Sequence, residues 1–360
     1  MLLKHLSLTN FRNFQNLTLN PTNGFNVLWG ENGQGKTNIL EAIYFLGHLK
    51  SFRSSSPGNL IRSGTSQTRL KGGVEGKHTV HHLEVTFSST QRRLAIDSKE
   101  ISGAGNFLGK LQVILFAPEE VNLVKGGPAG RRALMDRGIF LTTNLFLPRA
   151  QEYYRFLRQR NQLLREEKKA AELEPWTEGL IRAGIRLRRD RHQYLDNLNP
   201  LLGETYREIT AGRENAKIVY SAGTGTEAEM EEVLRGELDR SRDRERRLGQ
   251  TLAGPHRDDF QFLVNENDLR FFGSQGQQRS FIIALKVAQA GNLEKLTGDP
   301  PVLLLDDFTS ELDESRREFL LRYLIDRAGQ IFISTTDIKD LGGLTLDPGQ
   351  VFRLRQGAVC

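Results

Sequence analysis

One cysteine in 360 residues, Cys360, excludes an internal disulfide framework and the spaced thiols of a structural zinc cluster. A reducing cytoplasm fits that scarcity. No apolar run approaches the roughly 18 residues of a membrane-spanning helix, Val302 to Leu305 being typical of the longest, so no membrane span is expected. Leu3-Lys4-His5-Leu6-Ser7-Leu8 alternates and lacks the basic start and apolar middle of a secretory signal. Internal repeats and low-complexity tracts are also missing.

What is present is the composition of a folded chain, 38% apolar and 26% charged. A formal net charge of +6 and a pI near 9.4 favour a polyanionic partner, because lysine and arginine near phosphates release condensed counterions. Charge alone does not separate a nucleic-acid binder from an ordinary basic protein.

The alternating opening, the turn Asn10-Phe11-Arg12-Asn13 and the apolar run Phe25 to Trp29 read as strand, turn, strand. A glycine-rich turn follows. Ile39, Ala42, Ile43 and Leu46 then recur at helical spacing, predicting a helix from Thr37 to about Leu49. Between 67 and 117, short alternating runs such as His82 to Phe87 and Val113 to Phe116 predict an antiparallel sheet.

Beyond about 145 the spacing turns helical, through Tyr153, Leu157 and Leu164, then Leu180, Leu187, Tyr194, Leu198 and Leu201. A break at Ala170 to Pro175 makes this a hairpin. Its polar faces carry Arg155, Arg158, Arg160, Arg165, Arg182, Arg186, Arg188, Arg189 and Arg191, a run that suits either solvated helix faces or a DNA contact. A charged helix is expected from Glu227 to Arg247.

Gly30-Glu31-Asn32-Gly33-Gln34-Gly35-Lys36-Thr37 fits the phosphate-binding loop: glycine, four residues, then Gly-Lys and a hydroxyl residue. The pattern needs a strand before it and a helix after it, and both are predicted. A helix N-terminus aims N–H groups and a positive dipole end at an anion; Lys36 would reach the phosphates and Thr37 would ligate Mg²⁺. Val302-Leu303-Leu304-Leu305-Asp306-Asp307 reads as a buried strand ending in two carboxylates. Beside a phosphate loop, Asp306 would hold Mg²⁺ and Asp307 would polarise the attacking water. Gly273-Ser274-Gln275-Gly276-Gln277-Gln278-Arg279 opens another helix. It is either a plain N-cap or a second phosphate seat that serves the nucleotide of another copy.

In this order the pieces resemble the ABC-type ATPases that lack membrane domains, the group of the SMC and RecF families. Ser274 and Gly276 match the signature motif that closes over a partner's ATP, and Ser310-Glu311-Leu312-Asp313 matches the D-loop. The RecF family is the nearer match. It is carried by Asn10 to Asn13, Gly30 to Thr37, Phe116-Ala117-Pro118-Glu119, Lys125-Gly126-Gly127-Pro128 with Arg131-Arg132, Gly254-Pro255-His256-Arg257-Asp258-Asp259, Gly273 to Arg279 and Leu303 to Asp313.

The resemblance implies an α/β fold, an ABC-type P-loop ATPase head with a mixed sheet plus an antiparallel sheet. The head would comprise residues 1–135 and 250–360, with a helical lobe at 136–249. It also implies ATP and Mg²⁺, an ATP-dependent homodimer, double- and single-stranded DNA, work with RecR and RecO in loading RecA at gaps, and a nucleotide contact by Arg12. Recombinational repair, replication recovery and the SOS response would be the setting.

Some positions depart from the wider group. Asp307 stands where transport ATPases carry glutamate, which fits slow hydrolysis, and Ile333-Ser334-Thr335-Thr336-Asp337 has no switch histidine. Gln112 lies near the place of a Q-loop glutamine, which the Phe116 to Glu119 segment could fill without one. A transporter subunit and an ATP-binding protein that never hydrolyses are the competing classes. His256 reads as structural rather than catalytic, with no cysteine or second histidine beside it.

Overall fold

Alternation in the first strand puts Leu6 and Leu8 on one face, and that face is what the fold buries. The structure is a computed structural model describing residues 1–307, 313–326, 329–341, 350–355 and 357–359. It divides into two compact units, residues 1–121 with 279–360 and residues 122–278. The expected lobe boundaries lay near 135 and 250; the difference arises because the helices just after Val121 and the strands and turns up to Gln278 pack with the helical segment.

In the first unit β1 (Leu2–Phe11), β2 (Phe14–Leu19), β4 (Gln67–Glu75), β5 (Val80–Ser88), β6 (Arg92–Ile96) and β7 (Lys99–Ile101) form an antiparallel sheet in the order β2-β1-β4-β5-β6-β7. A second sheet has the order β15-β14-β3-β13-β12-β8, from β3 (Phe25–Trp29), β8 (Val113–Phe116), β12 (Val302–Leu305), β13 (Ile331–Thr335), β14 (Val351–Arg355) and β15 (Ala358–Val359). All its pairings are parallel except β14 with β15.

The helix α1 (Lys36–His48) contacts strands of both sheets and is buried on nearly every side. Ile39, Ile43, Phe45 and Leu46 join Leu6, Leu70, Val85, Leu115 and Leu304 in one core. An all-round apolar helix belongs between two layers.

Two expectations are corrected here. Val113 to Phe116 belongs to the parallel sheet, not the antiparallel one. Its four residues are all buried, as a strand covered on both faces requires. The strand β2 was not expected at all, because its outward residues Gln15, Asn16 and Thr18 mask a weak alternation.

The second unit holds α2 (Asn122–Lys125), α3 (Pro128–Thr142), α4 (Phe146–Arg165), α5 (Ala170–Ile209), α6 (Glu227–Leu248) and α7 (Leu269–Phe272). It also holds a sheet of β9 (Ala216–Tyr220), β10 (Phe260–Val264) and β11 (Asn267–Asp268), in the order β11-β10-β9. β9 falls inside the segment read as helical. The hairpin break lies at 166–169, ahead of Ala170, and α5 runs through Pro175 and Pro200 for about 60 Å. α6 starts at a capping box between Thr226 and Glu229 and ends at Gly249. The chain returns to the first unit within α8 (Gln275–Thr297), and α9 (Glu314–Ile325) follows β12. No described helix is long and apolar enough to cross a membrane.

The arginines of the hairpin give a third outcome. Arg155, Arg158, Arg165, Arg182, Arg186 and Arg189 are exposed, but Arg160, Arg188 and Arg191 are buried and ion-paired within the unit, neither solvated nor available to a ligand. Arg188 donates to both Asp258 oxygens at 2.9 and 2.8 Å and to Glu237 at 2.8 Å. Arg191 reaches both oxygens of Asp136 at 2.9 Å, the Tyr220 hydroxyl at 3.0 Å and the Pro255 carbonyl at 2.7 Å. Arg131 clasps Asp259 at 3.0 and 2.7 Å.

Gly254 to Asp259 is therefore the hub of this unit's polar core. His256 Nδ1 lies 2.6 Å from the Tyr153 hydroxyl and Nε2 lies 3.1 Å from the Thr251 carbonyl. The carbonyl only accepts, which assigns the ring hydrogen to Nε2 and lets Nδ1 accept from Tyr153. Burial lowers the His256 pKa to about 4, so the ring is neutral near pH 7.

Candidate functional site

Three neighbouring parallel strands end side by side, and each delivers part of one site. Thr335 of β13 pairs with Trp29 of β3, and Leu305 of β12 pairs with Ile333, so Gly30, Ser334 and Asp306 meet at the carboxyl edge. That edge is where open parallel sheets seat ligands.

The loop from Gly30 to Gly35 then turns into α1. Glycine is required at its ends: a Cβ at Gly30 would lie 2.5 Å from the Leu354 carbonyl oxygen, and one at Gly35, where φ is 108°, 2.6 Å from the Phe14 ring. Gly35 is also the N-cap of α1, with no side chain closing that end. Its amide donors face outward in the manner of an anion seat.

The Lys36 ammonium folds back over the loop, donating to the carbonyls of Gly30 at 2.6 Å and Glu31 at 2.9 Å. Burial lowers its pKa, while Asp307 and then Asp306 oppose that shift by attraction. The charge is thus held in place by the loop before any phosphate arrives.

The Thr37 hydroxyl donates to Asp306 Oδ1 at 2.8 Å, and the same oxygen accepts from Ser334 at 2.8 Å. Ser334 in turn accepts the Asp307 amide at 2.9 Å. One serine therefore fixes both carboxylate residues, the buried Asp306 and the exposed Asp307, whose backbone takes φ 43° at the strand end. Ser334 was not singled out as a site residue; its signal was only its place at the end of an apolar strand. Thr335 is buried, and its hydroxyl donates to the Asp337 carbonyl at 2.8 Å.

A Mg²⁺ ion fits the donor set. Thr37 and Asp306, in contact with each other, would offer such an ion hard oxygen ligands. Among the described residues no group of three or more His, Cys, Asp or Glu could hold a metal ion by itself.

Arg12 is already engaged. Its Nε and Nη2 grip both oxygens of the buried Glu41 on α1 at 2.7 Å, and Nη1 reaches the Asn59 carbonyl at 2.8 Å. Glu41 also takes the Ser51 hydroxyl. Arg12 thus braces the helix that follows the loop, and Glu41 is the partner that the apolar spacing of α1 concealed. Gln112 precedes β8, at the end of that strand away from the phosphate loop by about 13 Å of chain. Gln112 accepts from Thr297 at 3.5 Å there.

In the second unit Ser274 and Gln277 form a reciprocal capping box: the Gln277 amide donates to Ser274 Oγ at 3.2 Å and the Ser274 amide to Gln277 Oε1 at 2.9 Å. Gln277 Nε2 also donates to Glu214 at 2.7 Å. Gly276 lies in the first turn of α8. The N-cap reading is what the fold displays, with Ser274 exposed. Ser310, Glu311 and Leu312 lie outside the described residues. Asp313 caps α9 through the Arg316 amide at 3.0 Å, and Arg316 Nε donates to Ser280 of α8 at 2.7 Å, a brace the sequence did not announce.

The RecF/RecN/SMC N terminal domain family matches residues 2–342. A protein named DNA replication and repair protein RecF from Syntrophotalea carbinolica is 45% identical over all of this chain and 99% of its own length. Its counterpart from Geobacter sulfurreducens is 38% identical over 100% and 99%. A solved structure of the recombination mediator protein RecF with ATP superposes with a TM-score of 0.91 at 32% identity, covering all of this chain and 98% of that one. The Smc head of Pyrococcus furiosus, at 14% identity and a TM-score of 0.55, shares the fold.

Proposed function

Because the chain belongs to the RecF family of DNA replication and repair proteins, we propose that it is an ATP-driven DNA-repair clamp that two copies close around nucleotide. The observation that carries this reading is the convergence of Lys36, Thr37, Asp306, Asp307 and Ser334 on the edge of three adjacent parallel strands.

The amides of Gly30 to Thr37 cradle the triphosphate, with Glu31, Asn32, Gly33 and Gln34 forming the turn and Lys36 balancing its charge. Thr37 and Asp306 would hold Mg²⁺, which would supply positive charge beside the phosphates. Asp307 stands exposed beside them and accepts a proton from the attacking water. Its side chain is one methylene shorter than glutamate, which supports slow turnover and a timing role. Arg12 acts through Glu41 on the setting of α1, and any nucleotide contact by Arg12 would use its remaining donors.

Ser274 and Gly276 of a second copy complete the pocket. Their helix start offers amide donors, and the Ser274 oxygen accepts from Gln277, leaving its hydrogen to donate. In this reading ATP closes the dimer on double- or single-stranded DNA at gaps. RecR and RecO act with it to load RecA, in recombinational repair, replication recovery and the SOS response, in the cytoplasm. DNA stimulates a weak ATPase, whose hydrolysis reopens the clamp.

Sedimentation with and without ATP tests the closure. The wild type should shift to a dimer with ATP, while Ser274→Arg should bind ATP and remain a monomer. An undiminished dimer from that variant rejects the shared pocket.

A further inference from the structure

The two most exposed large apolar side chains among the described residues are neighbours, Phe271 at 69% and Phe272 at 75%. They are displayed by a turn built to hold them. Asp268 caps α7 through the Arg270 amide at 2.8 Å, and Leu269 is buried as the anchor. Beneath it the buried Gln278 donates to the carbonyls of Leu269 at 3.2 Å and Gly273 at 2.9 Å. A Cβ at Gly273 would lie 2.7 Å from the Leu269 oxygen, so the turn closes too tightly for another residue.

We propose that Phe271 and Phe272 are the apolar anchors of the interface between two copies of this chain. The proposal rests on the shared-pocket reading above and names the surface that stabilises it. Only Gly273 separates Phe272 from Ser274, so a body that meets the Ser274 helix start meets these rings too.

Area favours a second copy. Two phenylalanines at these exposures present roughly 300 Å² of apolar surface. Stable interfaces take about 800 Å² from each partner, so the pair supplies about a third of what a dimer needs. Exposed aromatics of this kind are the usual centres of interface energy.

Geometry argues against a base-stacking platform. The ring planes are inclined at 65° with centroids 6.4 Å apart, and the Arg270 guanidinium lies 5.1 Å from the Phe271 centroid. Single strands prefer open faces in succession, whereas inclined rings form a wedge for an apolar socket.

Sedimentation of the full chain carrying both Phe271→Ser and Phe272→Ser, with ATP, is the test. Both residues are exposed, so the thermal midpoint and the monomer's ATP affinity should match the wild type. Self-association with ATP should weaken roughly tenfold or more, and Phe272→Leu should recover most of it. A double variant that dimerises as the wild type does overturns this inference and leaves the shared pocket standing. A wild type that stays monomeric with ATP overturns both. A variant that keeps its dimer but no longer binds oligo-dT assigns the rings to nucleic acid and overturns the inference as well.

Discussion

The lysine of the phosphate loop and the arginines of the helical hairpin carry the same charge, yet the fold uses them in opposite ways. Arg188 and Arg191 are closed in by carboxylates, a hydroxyl and a carbonyl, with almost no exposed surface. Lys36 donates to two carbonyls of its own loop and is attracted by Asp307 and Asp306, beside a helix start that no described side chain caps. Charge closed in by buried carboxylates is spent inside the fold, whereas charge resting on backbone carbonyls at an open helix start is placed to meet an anion.

The largest expected effect breaks the ion-paired side. Arg188→Leu leaves Asp258 and Glu237 without their main cation, and a buried charge stripped of its partner costs about 3–5 kcal/mol. Denaturant unfolding of the variant measures it. A loss under about 1 kcal/mol would show that the network is not what secures this unit.

Acid attacks the same hub through His256. Its folded pKa is about 4 against an ordinary 6.5, so between those values the unfolded chain binds a proton that the fold refuses. Stability from this group is complete above about pH 6.5 and declines as pH falls toward 4, by about 3 kcal/mol. Unfolding curves across that window should slope accordingly, and His256→Gln should flatten the slope. An unchanged slope in the variant would assign the acid sensitivity elsewhere.

On the ligand-receiving side, Asp307→Asn should lower ATP hydrolysis on the order of a hundredfold and leave ATP affinity and folding intact. Single-turnover hydrolysis at the normal rate would remove Asp307 from the reaction.

The phosphate loop was legible because it is local: a strand, a glycine turn and a helix start occupy consecutive residues, and the loop chemistry permits few substitutes. Asp306 and Asp307 were legible for a similar reason, at the end of a continuous apolar run. Ser334 and Glu41 were not, since each acts on residues far away in the chain that only the strand order and the path of α1 bring close. The buried arginines misled for a physical reason. On a helix face, arginine next to arginine looks solvated, and the carboxylates that bury Arg188 and Arg191 sit 70 and 55 residues away, at Asp258 and Asp136. Val113 to Phe116 taught the reverse lesson, because an apolar run with no alternation marks a strand covered on both faces, not a sheet with one face in water.

Equilibrium titration of Mg-ATP against the wild type and Lys36→Met addresses the loop most directly. The wild type should bind saturably and the variant should bind about a hundredfold more weakly, a difference of about 2.7 kcal/mol, with both unfolding alike. Equal affinities would mean that the loop around Lys36 is not where the triphosphate is held.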